Sequence, residues 1–470
     1  NGIVDLMIGA YLLDPGRGEY ALSELFEKEL TESAPKSAEE RMKAMFGLGK
    51  KIVQRLQDEG LSEVFETIEL PLTPVLAEME GHGIRLDTRW LSKFSKAIQR
   101  ELAELTKAIY KDAGTEFNIA SSQQVAEVLF EKLGIGTKGI KKTGGGKVST
   151  KFSELSKLVG VHPVVEKILR HRELSKLQST YVDPLPAHLA KDGRLHTTFN
   201  QVRTETGRLA SERPNLQNIP IKTEFGRNIR HAFVAQAGWT LVSFDYSQIE
   251  LRIASDLAND QKMLAAFRQG VDIHSMTAAE VNNIPLGKVT AELRRKAKAL
   301  NFGVLYGMGP RGFAESAGIS IEEAEIFIDE YFRDFRGIAE FIEKTKEFAR
   351  EKGFVKTAFG RKRYLPGIVS QHPMIRSEAE RMAVNMPIQG TATGDIMKKA
   401  MIEVSRLVKN ELGAKARILL QIHDELLCEV KDEITEKAVK IIRQAMEGVW
   451  QGKVCLKVDV KKGKNWAEIE

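Results

Sequence analysis

Hydrophobic positions along the chain alternate between helical spacing and short unbroken apolar runs, and the switches between the two divide the sequence. Residues 1 to about 68 carry short helical patterns, YALSELFEKEL and AEERMKAMFGLGKKIVQRLQ, separated by the polar linker TESAPKS. From Pro71, LTPVLAEMEGHGIRLDTRWLSKFSKAIQRELAELTKAIYKDAG predicts long, charged, mostly exposed helices, broken near Gly81 to Gly83 and closed at Gly114. A helical SSQQVAEVLFEKLG, a basic glycine-rich GTKGIKKTGGGKVST and a further helix PVVEKILRHRELSKLQSTYV follow. In RLHTTFNQVRTETGRLASERPNLQNIPI turn residues and amides crowd together.

The second half is patterned differently. TLVSFDYSQIELRIASDLA reads as a buried strand running into a helix, and residues 260 to about 385 are mainly helical. After a helix from 386, ARILLQIHDELLCEV is an apolar strand, a polar tip and a second apolar strand. A helix (EKAVKIIRQAMEGVW) and a strand (VCLKVDVKKG) close the chain, and no internal repeat is visible.

At 470 residues the chain exceeds one ordinary core, so several subdomains around a large cleft are expected. Its 70 basic and 64 acidic residues give +6 and a pI near 9.0, which leans towards a polyanionic partner without requiring one. No apolar stretch of about 18 residues occurs, and the start has neither a basic n-region nor a cleavage pattern. A soluble cytoplasmic, nucleoid or organelle-matrix protein is expected, with no membrane association. The first residues read as mid-domain, which suggests a piece of something longer. Cys428 and Cys455 are expected to be reduced core residues without a role.

The glycine-rich segment fails the phosphate-loop pattern, because Val148 follows Gly146-Lys147 and Lys141 stands five before Gly146. It is either a plain surface loop or a tip that grips phosphates. Asp245 ends an apolar strand, and His423-Asp424-Glu425 interrupts two more. Carboxylates at strand ends need cationic partners to offset desolvation, and oxygen ligands suit Mg²⁺. A solvated acidic turn would look the same. Arg294, Lys298, Phe302 and Tyr306 recur every four residues and form one stripe from cationic to aromatic. Such a stripe can read a nucleotide from phosphates to base, or it can be an amphipathic helix with snorkelling basic ends.

Three stretches, DYSQIELR at 245–252, RRKAKALNFGVLYG at 294–307 and QIHDE at 421–425, resemble the polymerase motifs of the family A DNA polymerases, the bacterial DNA polymerase I group. TGRLASERPNLQNIP at 206–220, NMPIQGTA at 385–392 and the ending GKNWAEIE are similar to further stretches of that family, in the family's order from about residue 65. The resemblance implies an α+β fold shaped as a right hand, with an antiparallel palm sheet and helical fingers and thumb. It assigns 1–68 to a truncated, inactive 3′–5′ exonuclease-like remnant, 69–194 to the thumb, 195–259 and 386–470 to the palm, and 260–385 to the fingers. The loop at 136–150 then becomes part of a DNA-gripping thumb.

By resemblance, the partners are primer–template DNA and deoxyribonucleoside triphosphates, the cofactor is a pair of Mg²⁺ ions with Mn²⁺ as a substitute, and the chain works as a monomer. Asp245 and Asp424 would hold the ions with the Tyr246 carbonyl, with Glu425 close but secondary. Arg294, Lys298 and His274 would meet the triphosphate, although a histidine there also suits a core position. Phe302 would stack on the base, Tyr306 would sit by the template, and Gln248 would lie near the nucleotide. Glu250, held by Tyr306, would exclude a sugar 2′-hydroxyl. Arg208 and Gln389 would read the minor groove, with Asn385, Arg381, His423, Gln217 and Asn218 as further DNA contacts.

The sequence departs from the family at two places. GTATGDIMK after Gln389 is one residue longer than the usual spacing, and Arg213 stands where an acidic residue is common. Within 1–68 the only aspartates are Asp5, Asp14 and Asp58, and neither an Asp-x-Glu pair nor a Tyr-x-x-x-Asp helix occurs, so no proofreading is expected of this chain. Competing readings are a single-subunit RNA polymerase, against which Glu250 and the lack of a recognisable promoter-binding domain argue, and a catalytically silent DNA-binding scaffold.

Overall fold

The computed structural model describes residues 4–30, 37–220 and 223–469, so most of the expected linker at 31–37 lies outside the described residues. The chain forms two compact units, Asn1–His82 with Thr197–Glu212 and Gly238–Lys462, and Gly83–His196 with Arg213–Ala237 and Gly463–Glu470. Both stretches expected as palm, 195–259 and 386–470, therefore give a piece to the second unit.

The first unit is organised by a four-stranded sheet. Its strands are β1 (Trp239–Tyr246), β2 (Ala416–Ile422), β3 (Glu425–Lys431) and β4 (Val458–Gly463), in spatial order β4-β1-β3-β2. β3 runs antiparallel to both β1 and β2. Leu241 to Phe244 and Ile418 to Ile422 are buried on both faces, which explains unbroken apolar runs instead of alternation. Helix Thr435–Gly448 lays Ala438, Ile442 and Met446 against this sheet, and Leu70–His82 packs along β2. Only the second part of the expected final strand joins the ladder. Its first part is tied elsewhere, because the Cys455 and Lys457 carbonyls accept from Arg252 and from Ser247 N. Cys455 is exposed there, which corrects its expected core position, whereas Cys428 is buried.

Six helices from Gln261–Gln269 to Arg336–Lys352 surround a core that includes Phe267, Leu300, Val304, Phe313, Tyr331 and Phe335. Their starts are chemically marked: Thr290 caps Ala291–Leu305 through Leu293 N, and Ser320 with Glu323 makes a capping box. A hairpin, Phe354–Lys356 with Lys362–Tyr364, interrupts this otherwise helical region. Leu6–Leu13, Leu22–Leu30 and Ala38–Asp58 close their own core around Tyr11, Ile52, Leu56 and Phe65.

In the second unit, Thr88–Ala113 starts at an Asp87 cap, ends at left-handed Gly114, and packs on Pro163–Leu177. Ile84–Leu86 fills the expected break after Gly83 and is the middle strand between Arg194–Leu195 and Phe233–Val234. The buried Trp466 ring packs edge-on to Phe233 and beneath the Arg230 guanidinium, which ties the chain's end into this unit. The basic segment near 136–147 is exposed and holds a single bridge, Lys142 to Val148.

Candidate active site

β1 and β3 bring the two acidic motifs together. Asp245 and Glu425 are cross-strand partners, and the Tyr246 amide donates to the Asp424 carbonyl at 3.1 Å. His423 and Asp424 form the two-residue turn between β2 and β3, with His423 left-handed at φ 55. Gln248, which follows the other motif, is also left-handed at φ 53. Non-glycine residues held in this region collect where a site over-determines the backbone. The Tyr246 ring points into the core and donates its hydroxyl to the Met446 carbonyl at 2.7 Å, which leaves only its backbone for the site.

The electrostatics are those of an edge where acidic groups outweigh the nearby cations. Partial loss of hydration and the nearby Asp424, Glu425 and Asp459 carboxylates push Asp245 up to about 7, although the side chain still reaches solvent. Asp424 is also raised, by burial first and by Glu250 as well. Glu425 is partly engaged, accepting from the Ser243 hydroxyl at 2.5 Å. Asp459 and Lys461, two apart on β4, reach this edge too, and period-two alternation in VDVKKG was the signal for them. Asp245, Asp424 and the Tyr246 carbonyl make an all-oxygen donor set. Among the described residues no three His, Cys, Asp or Glu side chains gather into a ready cage for an ion. Two carboxylates with positions left for phosphate oxygens fit Mg²⁺, which retains outside ligands, better than Zn²⁺ or a closed Ca²⁺ site.

The Ala291–Leu305 helix carries the expected stripe. Lys298 is exposed and Arg294 makes a two-pronged contact with Asp272, both distances 2.9 Å. His274 is 2% exposed, with Nδ1 3.1 Å from Asn301 Nδ2 and its ring 5.8 Å from that of Phe302. Burial first, and then Arg294 and Lys298, lower it to about 4, so near neutral pH it is an uncharged imidazole. Phe302 is half-buried against the helical core.

Tyr306 caps this helix and donates to Glu250 Oε2. Glu250 Oε1 accepts from Arg208 Nη2 at 3.0 Å, and Gln389 lies within hydrogen-bonding reach of Tyr306. Tyr306 is held protonated by burial and by Glu250. Asn385 has a buried Oδ1 without a hydrogen-bond partner, and Arg381 is exposed, with Nη1 3.1 Å from Ser377. His423 is exposed at the turn. Gln217 and Asn218 belong to the second unit, where the Asn218 carbonyl accepts from Tyr181, and Arg213 is exposed in that unit with φ 52. Sequence reasoning missed Arg252, 7% exposed, which donates to the Ser247 and Cys455 carbonyls and stacks on Phe267, bracing the turn after Asp245.

A model of DNA polymerase family A matches residues 88–468. The chain belongs to that family. Family A relatives include the thermostable DNA polymerase I of Thermus aquaticus, 44% identical over 465 residues, covering 98% of this chain and 55% of the relative. DNA polymerase I of Pseudomonas aeruginosa is 42% identical over 456 residues, covering 96% and 49%. The chain thus spans about half the length of the curated relatives it matches. A family A structure, the POL domain of Pol1 from M. smegmatis in complex with DNA primer-template and dNTP, superposes with a TM-score of 0.93 at 38% identity. That match covers 99% of this chain and 82% of the other. The mixed helix and sheet fold expected from the family motifs is the one observed. Among the described residues no helix is long and apolar enough to cross a membrane.

Proposed function

We propose that this chain is a template-directed DNA polymerase that adds deoxyribonucleotides to a primer 3′ end. The observation that carries the reading is the meeting of Asp245 and Asp424 at the ends of neighbouring strands in a family A chain, as an edge where carboxylates predominate. Asp245 and Asp424, with the Tyr246 carbonyl, would hold two Mg²⁺ ions, which supply Lewis-acid activation of the primer hydroxyl and charge stabilisation at the phosphoryl group. Glu425 supports the edge through its bond to Ser243.

The remaining work is positioning and charge complementarity, as phosphoryl transfer requires. Lys298 and Arg294 meet the triphosphate, and Arg294 comes to it oriented by Asp272. His274 contributes as a neutral donor to the phosphates, since burial disfavours its charge. Phe302 offers a ring face to the base, and Tyr306 lies beside the templating position. Glu250, bonded to Tyr306, would exclude a sugar 2′-hydroxyl. Arg208, Gln389, Asn385, Arg381, His423, Gln217 and Asn218 contact the primer–template. No proofreading is expected of this chain, because residues 1–68 carry neither an Asp-x-Glu pair nor a Tyr-x-x-x-Asp helix.

Extension of a labelled primer with Mg²⁺ and either deoxyribonucleotides or ribonucleotides tests the reading. Template-directed deoxyribonucleotide addition is expected. Ribonucleotide preference would point to an RNA polymerase, and DNA binding without addition would leave only a scaffold.

A further inference from the structure

Residues from Pro373 to Leu407 continue as one helix whose middle, Met386–Ile396, is π-helical. Most of the segment one residue longer than the family spacing, 390–396 of 390–398, falls inside this wide stretch, whose i→i+5 bonding takes up more residues per turn. Two threonines in it bond back to carbonyls four residues earlier, Thr391 to Pro387 at 2.5 Å and Thr393 to Gln389 at 3.0 Å. Thr391 also accepts from Ala358 N at 2.9 Å. Thr393 uses its second capacity differently: its hydroxyl accepts from Arg208 Nε at 2.6 Å, although the residue is only 5% exposed.

The backbone beneath Arg208 is fixed independently. Thr204 Oγ1 donates to the Arg208 carbonyl at 2.8 Å, and the Tyr11 hydroxyl donates to the Thr204 carbonyl at 2.7 Å. At Gly394 a Cβ would lie 2.6 Å from the Thr206 carbonyl oxygen, and at Gly207, with φ +83, it would lie 2.6 Å from Arg361 Nε. Only glycine permits either approach. The wide helix therefore presses directly on segment 204–208 and presents the Thr393 hydroxyl to the guanidinium. From there the bonds run on from Arg208 Nη2 to Glu250 Oε1, and from Glu250 Oε2 to the Tyr306 hydroxyl.

We propose that Thr393 is a positioning and specificity residue: it aims Arg208 at Glu250, keeps the Glu250–Tyr306 pair closed over the place of the sugar 2′ carbon, and so sharpens discrimination against ribonucleotides. The inference rests on the polymerase reading above. A threonine that merely satisfied its own hydroxyl would already be served by the Gln389 carbonyl. The bond to Arg208 is charge-assisted and part-buried, and it holds Nε while Nη2 reaches Glu250 Oε1.

The test is single-nucleotide incorporation on a primer–template with Mg²⁺, comparing a deoxyribonucleotide with the matching ribonucleotide in wild type, Thr393→Val and Thr393→Ser. Thr393→Val is expected to raise the ribonucleotide-to-deoxyribonucleotide efficiency ratio by about tenfold, the scale of one hydrogen bond to a charged group, while Thr393→Ser stays near wild type. Should Thr393→Val fail to fold, Thr393→Cys, with a weak sulfur acceptor of similar size, is expected to shift the ratio by less than tenfold. Equal losses on both substrates with an unchanged ratio, or a Thr393→Ser that behaves as Thr393→Val does, would overturn the assignment. A wild-type chain that added no templated deoxyribonucleotide would instead overturn the polymerase reading itself.

Discussion

Two clusters of ionisable side chains in the first unit are built in opposite ways. Glu69, Arg361, Asp395 and Lys398 are all 2% exposed or less and alternate in sign, with Arg361 bonded to Glu69 and Asp395, and Lys398 2.6 Å from Glu69. Burial pushes Glu69 up, but Lys398 and Arg361 outweigh it and hold the carboxyl at about 2. Asp245, Asp424 and Glu425 share one sign and reach solvent, and Asp245 is driven the other way, to about 7. The first cluster is electrically complete and serves the fold. The second is only partly offset, by Lys461 among others, and an excess of like charge kept together at a strand edge marks a candidate place for something positive.

The sharpest break of that contrast is Asp245→Asn. Incorporation is expected to fall roughly a thousandfold or more, because several kcal/mol of metal-derived stabilisation go with the ligand. The same change should stabilise the chelator-treated protein at neutral pH, since it removes repulsion. The sign follows from linkage: a carboxyl raised in the folded state binds a proton that the unfolded chain releases. The Asp245 contribution to stability should therefore fall as pH rises from about 4 towards 7, opposite in sign to that of His274, and the difference between wild type and variant isolates it. Chemical unfolding of both proteins across this range checks it.

Glu69→Gln should act in reverse, costing about 3–5 kcal/mol of stability because two buried cations lose their shared partner. For Glu69 the linkage runs oppositely, with stability present above the ordinary carboxylate value and lost as pH falls towards about 2. Acid unfolding of wild type against Glu69→Gln measures that arm. The smallest effect expected is for Lys298→Met, a rise in nucleotide KM of about tenfold with folding unchanged, as the proposed role on the triphosphate requires of an exposed cation.

Legibility in the sequence follows the same division. The acidic edge was readable because polar tips interrupt long apolar strands, and the nucleotide helix because four residues repeat at one spacing. The Glu250–Tyr306 contact followed from the family motifs. The buried quartet was not readable, since Glu69, Arg361, Asp395 and Lys398 look like ordinary surface charges in helical or turn sequence and are paired only by the tertiary fold. The make-up of the second unit was missed for a related reason: Phe233 and Trp466 are brought together across about half the chain, where no local pattern reports it. Thr393 escaped notice because the extra residue after Gln389 shows in the spacing, whereas the partner of Thr393, Arg208, shows only in space.

The central claim is that the Asp245–Asp424 edge is the catalytic centre of templated DNA synthesis. Single-turnover primer extension by wild type and Asp424→Ala, at matched DNA occupancy and with Mg²⁺, addresses it most directly. The expected result is templated deoxyribonucleotide addition by the wild type and its loss in Asp424→Ala, with DNA binding retained. Addition by Asp424→Ala at the wild-type rate would contradict the account.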